Sequence, residues 1–174
     1  MLSNQQTIEK KERVIRYVQA GEIKSSTKNE LLISSPLGSC IAVVAYDIKR
    51  KIGAIAHIML PGKSPENNER DKTRYTIDAI EILFSKLNSL GASDADIEIC
   101  LAGGANVLKK ENETLTHDII KSVQKAVKRK KICASSLGGF ERRKVTLDIG
   151  TGTVYYTVGE SGEKFYGNLI TKEL

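Results

Sequence analysis

One of three cysteines, Cys40, closes the turn-forming segment Pro36-Leu37-Gly38-Ser39 and opens the apolar run Ile41-Ala42-Val43-Val44-Ala45-Tyr46. A thiol at the mouth of a strand lies where backbone N–H groups are not yet committed to a ladder. Such amides can serve a nucleophile by taking up the charge that develops on a carbonyl oxygen. A second apolar run, from Ile52 to Leu60, carries His57, and the polar link Asp47-Ile48-Lys49-Arg50-Lys51 joins the two runs. The pair reads as an antiparallel hairpin with Tyr46 opposite Lys51. That register sets Cys40 directly opposite His57, with Cβ atoms about 4.5–5.5 Å apart, close enough for sulfur and imidazole to exchange a proton. A slip of one residue would send the two side chains to opposite faces. The plainer alternative is structural: a free cysteine packs as a small hydrophobe, and a histidine inside an apolar run is a hydrogen-bonded core residue.

The 174 residues suffice for one domain with a sizeable core. No apolar run approaches the roughly 20 residues that span a bilayer, and the first residues show no basic region followed by an apolar core. A reduced, cytoplasmic setting is expected, without membrane insertion. Cys40, Cys100 and Cys133 show no Cys-x-x-Cys spacing, and with two histidines they offer no zinc-site pattern. No metal or organic cofactor is expected. The net charge of +6 collects in 121–131 and in Arg142-Arg143-Lys144. It reads as a solvated face or as a surface steering an acidic partner. No nucleic-acid partner is expected, because no helix-turn-helix, zinc finger or aromatic-interleaved basic strand is evident.

The elements that must position the thiol follow from periodicity. Residues 1–12 read as a flexible segment and 13–174 as a single domain. A bent strand is expected over Arg13 to Lys24 and a short one over Leu31 to Ser34. Lys63 to Lys72 reads as a polar loop. Ile77, Ile80, Leu83, Phe84, Leu87 and Leu90 recur at helical spacing over Thr73 to Leu90, with Gly91 as the stop. Alternation over Asp96 to Ala102 puts Ile97, Ile99 and Leu101 on one face of a strand and Cys100 on the other. Gly103-Gly104 reads as a tight turn rather than a ligand cradle. Thr116 is expected to cap a second helix through Val127, with His117 at the surface. Ile132-Cys133-Ala134 begins a strand, Lys144 to Ile149 and Thr153 to Val158 form a hairpin, and a last strand covers Lys164 to Ile170. The order implies an α/β fold of the α+β type: a single layered domain of mixed or antiparallel sheets with two main helices packed on one face.

Leu37-Gly38-Ser39-Cys40-Ile41-Ala42-Val43 and Gly53-Ala54-Ile55-Ala56-His57-Ile58-Met59-Leu60-Pro61 resemble the CheD family of chemoreceptor glutamine deamidases. The likeness continues through Leu101 to Asn106 and Leu137-Gly138-Gly139 with Arg143-Lys144-Val145. It spans the chain from about Gly21 to about Val158. The resemblance implies that Cys40 is a nucleophile, His57 its base, and that the residue six before the cysteine completes a triad. That residue is a threonine in the family and Ser34 here, which keeps the hydroxyl and loses the methyl that helps fix its rotamer. It further implies glutamine side chains of chemoreceptor cytoplasmic helices as substrate and a CheC-type phosphatase as partner. Two rival readings remain: a Cys/His amidase for small molecules, and an adaptor module for the phosphatase.

Overall fold

The computed structural model describes residues 12–66, 68–159 and the backbone of 164–168. In chain order the strands are β1 (Ile15–Val18), β2 (Ile23–Ser26), β3 (Leu31–Ser34), β4 (Ile41–Asp47), β5 (Ile52–Ile58), β6 (Ile97–Gly103), β7 (Lys131–Leu137), β8 (Arg143–Asp148), β9 (Thr153–Val158) and β10 (Lys164–Asn168). Helix α1 (Thr76–Ser89) precedes β6, and α2 (Leu115–Val127) follows it.

All seven residues of β4 are buried, as are all of β5 and β6. Such runs form strands covered on both faces. β4 pairs antiparallel with both β5 and β6, at the centre of a sheet ordered β2-β5-β4-β6-β7. A second sheet is ordered β1-β3-β8-β9-β10. Each sheet is mixed, through the parallel pairs β6-β7 and β1-β3. Alternation sorts the central strands between two cores. Ile41, Val43 and Ala45 pack with Ile97, Ile99 and Leu101 against Leu83 and Leu87 of α1 and Ile119 and Val123 of α2. Ala42, Val44, Tyr46, Ile55, Cys100 and Ala102 pack against Leu32, Val145, Leu147 and Val154 of the second sheet. The domain is therefore three layers: helices, central sheet, outer sheet. No helix among the described residues is long and apolar enough to cross a membrane.

This agrees with the expected fold class and with the faces assigned to Ile97, Ile99, Leu101 and Cys100. Three local expectations change. The bent strand over Arg13 to Lys24 is two strands in different sheets, because Gly21 turns the chain at a φ of 79°. The loop before α1 winds a 3-10 helix over Glu69–Arg74, so α1 starts at Thr76. The carboxylate of Glu113 caps α2, accepting the Thr116 amide at 3.1 Å and the Thr116 hydroxyl; Thr116 itself lies inside the first turn. Residues 1–11 and 169–170 of the expected terminal segments lie outside the described residues.

The end of β6 meets the start of β4 at one point. Gly103 has a φ of 120°, and a Cβ there would overlap the carbonyl oxygen of Cys40. Gly103→Ala is expected to lower stability by about 2–4 kcal/mol through left-handed strain and this overlap. Chemical denaturation checks it, and an unchanged midpoint would show that the two segments are not pressed together.

Candidate active site

The hairpin register differs from the expectation. Ala42, not Cys40, stands opposite His57, and Tyr46 faces Gly53. The cause is local. Asp47 remains in the ladder opposite Ile52, and its carboxylate accepts the Arg50 amide at 3.1 Å and the Ser93 amide at 2.9 Å. Lys51 takes a φ of 54° and belongs to the turn rather than to a strand. The strands are thus displaced by two residues, and an even displacement preserves faces. Cys40 packs against the inter-sheet core, on the side where His57 points. The two are diagonal neighbours, a relation that spaces residues about 7–8 Å apart in a regular ladder, with Cβ atoms somewhat closer.

Cys40 lies just before β4, half-buried. Its carbonyl oxygen accepts the Gly104 amide at 2.9 Å, and the Gly38 carbonyl accepts the Ala105 amide at 2.8 Å. Leu37 exchanges backbone bonds with Arg143 at 2.7 and 3.0 Å. The Arg143 guanidinium braces the next turn through Gly138 O at 2.7 Å and Ser136 Oγ at 2.8 Å. Gly103-Gly104 is therefore the close backbone approach that a glycine pair permits. The amides of Ser39 and Cys40 donate to no backbone carbonyl among the described residues. A cavity of about 310 Å³ adjoins this turn, lined by Gly38, Ser39, Asn106, Lys110, Thr116 and Arg142 among others.

His57 is 1% exposed. Its Nδ1 lies 3.4 Å from the Val18 carbonyl and 3.2 Å from Ser35 Oγ. A carbonyl only accepts, so Nδ1 carries the proton and Nε2 is left as the acceptor. Nε2 is buried and has no hydrogen-bond partner among the described residues. Burial lowers the imidazole pKa below its ordinary 6.5, against the opposing pull of the Val18 carbonyl and Glu22. Burial likewise raises the Cys40 thiol above 9.0. Both groups rest neutral at pH 7, as thiol and imidazole rather than as an ion pair.

Ser34 is fully buried, and its Oγ accepts the Val145 amide at 3.0 Å. The hydroxyl found beside the His57 ring belongs to the next residue, Ser35. Cys133 donates to Glu98 at 2.9 Å, and burial pushes the Cys100 thiol up to about 12. Neither contributes to the inter-sheet mouth at Cys40. His117 is exposed on α2, as expected.

A helix-backed sandwich that brings one half-buried thiol and one neutral imidazole to the same inter-sheet layer is a layered α/β protein with the parts for acyl transfer. The family described as CheD chemotactic sensory transduction matches residues 59–158. A relative from Chlorobium luteolum, named probable chemoreceptor glutamine deamidase CheD, is 39% identical over 156 residues, covering 88% of this chain and 78% of its own. Relatives of the same name from Methanococcus maripaludis and Clostridium botulinum are 34% and 33% identical, over 82% and 74% of this chain and 94% and 83% of their own. The chain belongs to the CheD family.

The resting protonation states have a measurable consequence. Alkylation follows the thiolate. With the thiol pKa raised, Cys40 labelling is expected to climb about tenfold per pH unit from pH 7 through pH 9. Peptide mapping after iodoacetamide pulses reads this rate, and a plateau near neutral pH would instead reveal a preformed thiolate–imidazolium pair.

Proposed function

We propose that this protein hydrolyses glutamine side chains of chemoreceptor cytoplasmic helices to glutamate, with release of ammonia, through a Cys40 thioester. The reading is supported by the relatives' names and by one geometric observation. Among the described residues, the Nε2 of a neutral His57 is unpartnered and lies in the layer where the Cys40 thiol sits, beside amides that no backbone carbonyl occupies.

The chemistry follows from those states. Nε2 takes the thiol proton as Sγ bonds to the amide carbon, so no charged pair has to persist in a buried site before attack. The Ser39 and Cys40 amides are the donors for the oxyanion. The imidazolium returns its proton to nitrogen as the C–N bond breaks and ammonia leaves. A water molecule then gives a proton to Nε2 and its hydroxyl to the thioester carbon. The C–S bond breaks, and sulfur recovers the proton. The cavity beside Ser39 is large enough for an amide side chain entering from a helix surface. A CheC-type phosphatase partner and a cytoplasmic setting belong to the same proposal. They are supported by the family and by the substrate it implies.

Cys40→Ala and His57→Ala are expected to abolish the amide-to-acid mass change on receptor peptides while the protein stays folded. Full retention by either variant would refute the mechanism. Because the base is needed neutral and its pKa is lowered, kcat/KM should hold as pH falls to 6.5 and decline only below it. An acid limb centred above 6.5 would contradict the burial of His57. The +6 charge should draw acidic receptor helices, so the rate should drop with added salt. A flat salt profile on intact receptor removes the electrostatic part of the proposal.

A further inference from the structure

The two sides of the His57 ring are held very differently. Nε2 has no partner among the described residues, whereas Nδ1 faces both the Val18 carbonyl and Ser35 Oγ. The Val18 carbonyl also accepts the backbone amide of Ser35 at 2.9 Å. One oxygen with two lone pairs thus serves the ring and the main chain of Ser35 together. Pro36 restricts Ser35 to extended backbone, and the Leu37–Arg143 bridge fixes the chain beyond it. The Ser35 hydroxyl is therefore placed by backbone bonds on both sides. Ser34 is employed elsewhere. The β3–β8 ladder stops at Ile33 and Thr146, and Ser34 Oγ takes up the Val145 amide that the ladder leaves over.

We propose that Ser35, acting through its hydroxyl on His57 Nδ1, is the residue that positions the base in this chain, and that Ser34 serves the ladder. The assignment rests on the deamidase reading for its catalytic meaning. With Val18 O and Ser35 Oγ both accepting, the Nδ1 proton is locked in place and Nε2 stays the base. The same two oxygens steady the positive ring while it carries the thiol's proton. Ser35 lies on the segment that ends at Cys40, itself pinned by the Ala105 and Gly104 amides. One strap therefore sets the orientation of the base and the place of the nucleophile. The ionisable groups on this ring are Glu22, from the turn before β2, and Cys40 in the same layer.

The test compares Ser35→Ala, Ser35→Thr, Ser34→Ala and Cys40→Ala in the full chain. The readouts are deamidation of a chemoreceptor cytoplasmic fragment, thermal melting, and ring nitrogen-15 NMR. His57 and His117 are the two histidines, so assignment is simple. Ser35→Ala is expected to lower kcat about tenfold, the worth of one lost hydrogen bond. It should also move the acid limb to lower pH and loosen the His57 tautomer, which the Val18 carbonyl at 3.4 Å then holds alone. Ser35→Thr, which keeps the hydroxyl, should restore all three. Ser34→Ala should lower the melting temperature and keep the His57 tautomer. Ser35→Ala with wild-type kcat, acid limb and tautomer would overturn the assignment, as would a tautomer change in Ser34→Ala. An active Cys40→Ala would defeat the deamidase mechanism alone, because the NMR readout needs no substrate and still judges Ser35.

Discussion

The hydrogen bond from the Gly104 amide to the Cys40 carbonyl fixes where the thiol can be. It requires two backbones to approach more closely than any side chain at position 103 permits, since a Cβ there would meet the Cys40 oxygen. The position of Cys40 is thus set by main-chain contacts, with support from Ala105 on Gly38 and Arg143 on Leu37. Backbone bonds fix a loop without spending side-chain entropy. They leave the amides of Ser39 and Cys40 clear of the ladder that begins at Ile41. The central strand then carries this placement inward, because both of its edges are paired along their whole length.

Burial decides the electrostatics of the site. Stacking the outer sheet on the central one removes water from His57 and from much of Cys40, and each group responds by favouring its neutral form. An ion pair made in advance would bring two desolvated charges into a layer whose neighbours are Ala42, Val44 and Leu32. Neutral partners avoid that cost in the resting site. On the proposed mechanism, proton transfer and attack are coupled for this reason, and the site depends on an imidazole held in one tautomer.

Much of the architecture is legible in residue order. The alternation Ile97-Glu98-Ile99-Cys100-Leu101 assigns faces without reference to partners, and the three-and-four spacing from Ile77 to Leu87 defines α1. The pairing register is not legible to the same degree. Asp47 and Lys51 are compatible with two hairpin closures, and the bonds that the Arg50 and Ser93 amides donate to the Asp47 carboxylate choose between them. Ser93 is distant in sequence, so no local pattern announces the choice. Faces survive the difference because the shift is even, whereas direct opposition of Cys40 and His57 does not. Ser34 and Ser35 present a similar ambiguity. Two adjacent hydroxyls differ only in which way the chain turns at Pro36, and that turn is fixed by Arg143 far along the chain.

An unpaired buried nitrogen costs a fold about 1–3 kcal/mol, and His57 Nε2 stands without a partner among the described residues, in a layer lined mainly by apolar side chains. Three fully buried strands around it supply the packing that offsets this cost. A hydrocarbon side chain of similar size at position 57 would avoid it. The ring is instead held from its far side by Val18 and Ser35, which orients the unsatisfied atom without satisfying it. Such an arrangement leaves Nε2 available to accept a proton. On the proposed mechanism that proton is the one bound to Cys40 sulfur, and the instability of the unpaired nitrogen becomes part of the driving force for taking it.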